Sequence, residues 1–143
     1  MRLNDPFNTP IEDDEPELRS RPIEWAADPG DDNAKDAMNF LGLYKTKKNA
    51  ARIVDDLINA PLVTFKAKDI LRSAGLPALP KDNAHVQLAL QLIANGQILN
   101  SVYLLRGKLT KGIPVVIVDG YHRISAAWWT DPSSEVDAHI ARP

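Results

Sequence analysis

The sequence predicts one α/β domain, of the mixed α+β kind, behind an acidic N-terminal segment. Three observations carry this. Apolar runs of strand length, such as Val102-Tyr103-Leu104-Leu105 and Pro114-Val115-Val116-Ile117-Val118, alternate with stretches whose apolar residues recur at helical spacing. At 143 residues and 44% hydrophobic content, the chain can bury one real core. The 114–118 run passes through Asp119-Gly120-Tyr121-His122-Arg123 directly into the helix-compatible Ile124-Ser125-Ala126-Ala127-Trp128-Trp129. That is a strand ending at a glycine turn that opens a helix.

Residues 1–32 are rich in Asp, Glu and Pro and lack periodicity, so a mostly disordered acidic tail is expected. Within it Ile23 and Trp25 stand apart, and the large apolar area of the Trp predicts docking on the core. A helix is expected from Asn33 to Tyr44, with Ala37, Phe40, Leu41 and Tyr44 on one face and Asp31, Asp32 and Asn33 as cap candidates. A second is expected from Lys47 to Asn59, burying Ala50, Ile53, Val54 and Leu57. Residues 33–60 thus read as a helical pair packed on a main domain of residues 61–143.

Pro61 ends the pair, and Leu62-Val63-Thr64-Phe65 reads as a strand. Lys68 to Ala74 is a short helix or turn, followed by a loop marked by Pro77 and Pro80. Asp82 or Asn83 caps a helix to Asn95, with Val86, Ala89, Leu90 and Ile93 inward and Gly96 as its stop. Strands follow at 102–105 and 114–118, joined by a hairpin-like loop from Gly107 to Gly112. The turn helix runs from Tyr121 to Trp129, and a last strand from Val136 to Ala141.

Composition removes several chemistries. The chain has no Cys, which excludes disulfides, thiolate zinc sites and thiol nucleophiles. The first residues lack the apolar stretch of a signal peptide, and no apolar run reaches membrane-spanning length. A soluble, cytoplasmic protein with no membrane partner is expected. Charge is uneven: residues 1–32 hold three Arg against ten Asp or Glu, a net of −7, and residues 33–143 hold fourteen Lys or Arg against nine acids, a net of +5. The tail is either solvated, or folds over the basic face and competes with an anionic ligand.

The turn at 119–123 is the candidate site. A helix N-terminus presents free N–H groups and partial positive charge, and Gly120 lets a ligand approach the backbone. Arg123 offers a fork suited to phosphate oxygens, or else pairs with Asp119 one turn away as an exposed ion pair. His122 is suited to donate to a phosphate or move a proton near neutral pH. Asp119 reads either as the helix N-cap or as a Mg²⁺ ligand beside a nucleotide. Lys68 and Arg72 share one helical face after the first core strand and are candidate phosphate contacts. His85 and His139 show no metal-ligand spacing with His122 and read as ordinary histidines, and no protein metal site is expected.

From Leu62 to Ala141 the element order resembles the N-terminal domain of the ParB/sulfiredoxin superfamily. Two segments carry the likeness: Asn95-Gly96-Gln97-Ile98-Leu99-Asn100-Ser101-Val102, where a helix ends at Gly before a strand, and Val116 to Ala127 around the turn. ParB proteins have a Gly-Glu-Arg-Arg type of turn there, sulfiredoxins a Gly-Cys-His-Arg type, and related free-amino-acid kinases an Asp-Gly-His-His-Arg type. The Asp-Gly-Tyr-His-Arg of this chain is nearest the last. The resemblance covers somewhat over half the chain. It implies a cleft in which Gly120, Tyr121, His122 and Arg123, with Lys68 and Arg72, contact a nucleotide. Sulfiredoxin chemistry needs a Cys where Tyr121 stands, so it is excluded. No helix-turn-helix follows the turn, so DNA clamping of the full-length ParB kind is not expected.

The expected function is binding of a nucleotide or another phosphate-bearing small molecule, Mg²⁺ included if the nucleotide carries it. Hydrolysis or phosphoryl transfer would rest on positioning and charge neutralisation, with His122 or Asp119 handling the proton or the metal. Two alternatives stand: a nucleic-acid-binding module using the basic core, and a non-enzymatic protein-interaction module with a vestigial phosphate site.

Overall fold

The structure is a computed structural model, and it describes residues 22–28 and 30–143. The expectation of a disordered tail lies, for residues 1–21, outside the described residues.

The fold is α+β. A four-stranded sheet forms the middle layer, built from β2 (Val63–Lys66), β4 (Val102–Leu105), β5 (Val116–Asp119) and β6 (Glu135–Ala141) in the order β2-β6-β4-β5. β6 runs parallel to β4, and the two outer pairings are antiparallel. β4 is buried along its whole length because both its faces are covered. Tyr103 and Leu105 point to one core, and Val102 and Leu104 to the other, as the two-residue strand period requires.

The first core lies under α1 (Asp31–Leu41) and α2 (Lys47–Asn59). α2 buries the predicted stripe Ala50, Ile53, Val54 and Leu57. α1 ends three residues earlier than expected, at Gly42, so Tyr44 is 70% exposed and only Ala37 and Leu41 of its stripe are fully buried. Asp31, Asp32 and Asn33 lie in its first turn, while the cap position falls to Gly30 without a side-chain hydrogen bond. The pair is therefore a full layer of the domain, covering one face of the sheet.

The opposite face carries α3 (Ala67–Ala74) and α5 (Tyr121–Thr130), with α4 (Ala84–Ala94) packed on α5. Asn83 caps α4, accepting from the amides of His85 and Val86 at 2.9 and 3.1 Å. Gly96, at φ 70°, closes that helix. α3 runs back along α5, since the amides of Ala67 and Lys68 donate to the carbonyls of Ser134 and Pro132, just past the end of α5.

Trp25 is docked, as its apolar area predicted. It lies in β1 (Trp25–Ala26), which pairs in parallel with β3 (Leu99–Asn100), and its indole N–H donates to the carbonyl of Glu135 at 3.0 Å. Residues 22–28, read from sequence as part of a disordered tail, are instead structured, because Ile23 and Trp25 supply apolar surface to the same core as Phe65 and Ile124. His139 is buried, with its two ring nitrogens 2.8 and 3.0 Å from the carbonyls of Ala60 and Ala27, and so staples β6 to both neighbouring segments. No helix among the described residues is long and apolar enough to cross a membrane.

Candidate functional site

The site lies where β5 hands over to α5. Gly120 makes the turn at φ 109°, in the left-handed region that disfavours a side chain. It also sits tight against β4: a Cβ added there would overlap the Val102 side chain and lie 2.9 Å from Nη2 of Arg123. The sequence therefore needs glycine here for two reasons, conformation and space. α5 begins at Tyr121 with no side-chain cap, so the amides of its first turn have no capping acceptor among the described residues.

In front of this turn is a cleft of about 360 Å³. One wall is apolar: Leu88, Leu92 and Ile98, which are 57%, 41% and 59% exposed. The other is polar and brings together Asp119, Gly120, His122 and Arg123 with Asn33 and Asp36 of α1. His85, in the first turn of α4, packs against His122 with ring centroids 4.8 Å apart.

Asp119 is not the helix cap. Its carboxylate instead accepts from Nη2 of Arg123 at 3.0 Å, and the two side chains are only 16% and 17% exposed. Because the turn closes at Gly120, Asp119 remains the last residue of the strand. Burial raises its pKa, the charge and hydrogen bond of Arg123 oppose that rise, and Asp36 adds to it. The Nε of Arg123 is buried without a hydrogen-bond partner. Arg123 thus holds one carboxylate, and its Nε is enclosed without a partner.

His122 has its pKa lowered from 6.5, first by partial burial, then by the neighbouring His85 and Arg123. The folded value lies below the unfolded one, so the unfolded chain takes up the proton first. The neutral ring's contribution to stability is therefore complete above pH 6.5 and is lost as pH falls through the folded value. An NMR titration is expected to place the His122 midpoint below 6.5, and His85→Ala to raise it. A midpoint at or above 6.5 that ignores His85 would show that the two rings are not coupled.

Three expected ligand contacts fall elsewhere. Tyr121 turns its hydroxyl away from the cleft to donate to the carbonyl of Pro77, which leaves only its backbone amide at the site. With Ser125 accepting from Leu79 N–H and Trp129 donating to Leu79 C=O, it clamps the Pro77–Leu79 loop onto α5. Lys68 does not line the cleft, because it sits beside the C-terminal end of α5, about 15 Å along the helix from Gly120. Arg72 follows it on α3, with its side chain 87% exposed and 3.9 Å from Asp69.

Conversely, sequence reasoning set aside His85 and left Asn33 and Asp36 outside the functional region, and all three line the cleft. The only sequence signal for His85 was its place in the first turn after the Asn83 cap. Among the described residues no three His, Cys, Asp or Glu side chains gather as metal ligands. No family model matches the chain, and no curated protein or solved structure matches it.

Proposed function

We propose that this is a nucleotide-binding domain of ParB/sulfiredoxin type, whose ligand sets a phosphate at the start of α5. The observation that carries the reading is the uncapped first turn of α5 opening into a cleft lined by the packed rings of His85 and His122. Helix-terminal amides and the macrodipole favour an anion there. The apolar wall of Leu88, Leu92 and Ile98 gives a base or comparable ring a surface to lie on.

Two carboxylates, Asp36 and Asp119, share the same cleft and oppose a bare phosphate. A Mg²⁺ brought in by the nucleotide would offset them, held by phosphate oxygens and one or both of these carboxylates. His122 lines the cleft, and partial burial, His85 and Arg123 lower its pKa, which keeps the ring neutral and able to accept a proton. Hydrolysis or phosphoryl transfer at this site would use it in that role. A soluble cytoplasmic setting is consistent with such a ligand.

Calorimetric titration against a panel of nucleotides, with and without Mg²⁺, tests the reading. Binding is expected for a nucleoside phosphate, to be stronger with Mg²⁺, and to be lost for the parent nucleoside. Absence of binding to every nucleotide and phosphate ester would overturn it. Binding only to oligonucleotides, with a steep dependence on salt, would favour a nucleic-acid module instead.

A further inference from the structure

A second concave surface lies away from the α5 turn. It is a groove of about 310 Å³ between α3 and the loop joining β4 to β5, over the sheet face that carries α3. Its floor is apolar: Phe65, Ile70, Val115 and Ile140. Leu109 and Ile113 stand at its edge, 95% and 48% exposed, and continue the apolar surface outward. The loop that carries them is braced. Lys108 and Ile113 exchange backbone hydrogen bonds of 2.8 and 3.0 Å, and the amide of Val115 donates to the carbonyl of Ser73 in α3 at 3.1 Å. Gly107 lets the loop fold this closely, since a Cβ there would lie 2.5–2.7 Å from the backbone of Ile113, Pro114 and Val115. A contiguous apolar surface presented by a fixed loop marks an interaction site.

The rim of the groove is basic. From Leu104 to Val118 the chain has three cations, Arg106, Lys108 and Lys111, and no acid, in a protein whose net charge is −2. Arg106 and Lys108 line the groove. Arg142 is the neighbour of Arg106: the two follow the parallel partners Leu105 and Ala141, and the amide of Arg106 donates to the carbonyl of Ala141. Arg142 stands two residues past Ile140, on the groove's side of the sheet by the strand alternation. Like charges side by side repel, and none of these four cations forms an ion pair among the described residues. Asp69, the one acid that lines the groove, faces Arg72.

An apolar floor with cations spaced along its rim fits an occupant that is apolar and multiply anionic at once. A sugar-phosphate chain has no use for the floor, and no exposed aromatic side chain stands at the rim for bases to stack on. A flat anionic membrane surface would meet Leu109 but not Ile70 and Leu104, which are 3% and 1% exposed. The described residues Pro22–Glu24 lie against α4 and Thr130 instead. We infer that the groove is the docking site for an acidic segment of a partner protein. Aliphatic side chains of that segment enter the groove, and its carboxylates meet Arg106, Lys108, Lys111 and Arg142. Because the loop is braced, little ordering is required on this side of the interface. The inference is independent of the nucleotide reading, since no residue of this groove lines the α5 cleft.

Fluorescence anisotropy tests it, with a labelled peptide of alternating Glu and Leu titrated with the 143-residue chain. Saturable binding is expected, weakening as salt is added. Arg106→Glu with Lys108→Glu is expected to weaken it about tenfold or more, where tenfold is about 1.4 kcal/mol. Leu109→Ser, at an almost fully exposed position where folding is not at stake, is expected to weaken it as well. Peptides with Ser in place of Leu, or Lys in place of Glu, are expected not to bind. Failure of the Glu-Leu peptide to bind would overturn the inference. So would equal binding of the Glu-Ser peptide, or binding that ignores both variants. Tighter binding of anionic phospholipid vesicles or of an oligonucleotide through these same residues would overturn it too, since the occupant would then be of another class.

Discussion

Gly120→Ala is expected to destabilise the fold by about 2–5 kcal/mol. Two costs add. A side chain at φ 109° meets its own backbone in the left-handed region, at roughly 1–2 kcal/mol. The new Cβ would also lie 2.8 Å from Cβ of Val102, a fully buried residue, and overpacking of that kind costs roughly 1–3 kcal/mol. Urea unfolding measures the sum. Adding Val102→Ala separates the parts, since it relieves the overlap and leaves the backbone cost. Partial recovery in the double variant is expected, relative to Val102→Ala alone. A Gly120→Ala variant within about 0.5 kcal/mol of the parent, the usual range of a harmless surface change, would show that the turn relaxes freely.

Arg123→Ala comes second. Sequence alone suggested an exposed pair with Asp119, worth roughly 0.3–0.5 kcal/mol. With side chains 17% and 16% exposed, the pair is mostly buried, and removing the guanidinium leaves a carboxylate with no countercharge. Breaking a fully buried pair costs about 3–5 kcal/mol, so about 2–3 kcal/mol is expected for this less buried one. The cost should depend on pH. Burial already raises the pKa of Asp119 above 3.8, and loss of Arg123 removes the two influences that lower it. The folded carboxyl then holds its proton to higher pH than the unfolded one. Stability of the variant therefore falls as pH rises through the folded value and recovers below it. Asp119→Asn in the Arg123→Ala background is expected to recover most of the loss at pH 7. A cost below about 0.5 kcal/mol at pH 7, unaltered on acidification, would mean that the pair is solvent-screened after all.

Much of the scaffold was legible because its signals are local. The stripe Ala50, Ile53, Val54, Leu57 marks α2, and the unbroken apolar run 102–105 marks a strand buried on both faces. Gly120 between an apolar run and a helical stretch marks the turn. What was missed depends on tertiary placement. β1 and β3 are two residues each and have no period to detect. His85 meets His122 only because α4 packs on α5, and Asp36 reaches the cleft only because α1 covers the edge strand β5. Lys68 and Arg72 were placed in the cleft through a resemblance of element order, whereas α3 runs back along α5 and carries Lys68 to its far end. Asp119 looked like a cap because Asp precedes a helix, but the glycine after it takes the cap position and leaves the carboxylate to Arg123.

Because Arg123 is bound to Asp119, loss of ligand binding in an Arg123 variant would not separate a phosphate contact from a disturbed turn. The direct measurement keeps the chain intact. ¹H–¹⁵N spectra are recorded while a Mg²⁺-nucleotide is titrated into the unmodified 143-residue chain. Saturable shifts are expected for the amides of Tyr121, His122 and Arg123, with a rise in the His122 ring titration midpoint as the anion arrives. A spectrum that does not change, or shifts confined to residues outside the α5 cleft such as Lys68 and Arg72, would contradict phosphate binding at this turn.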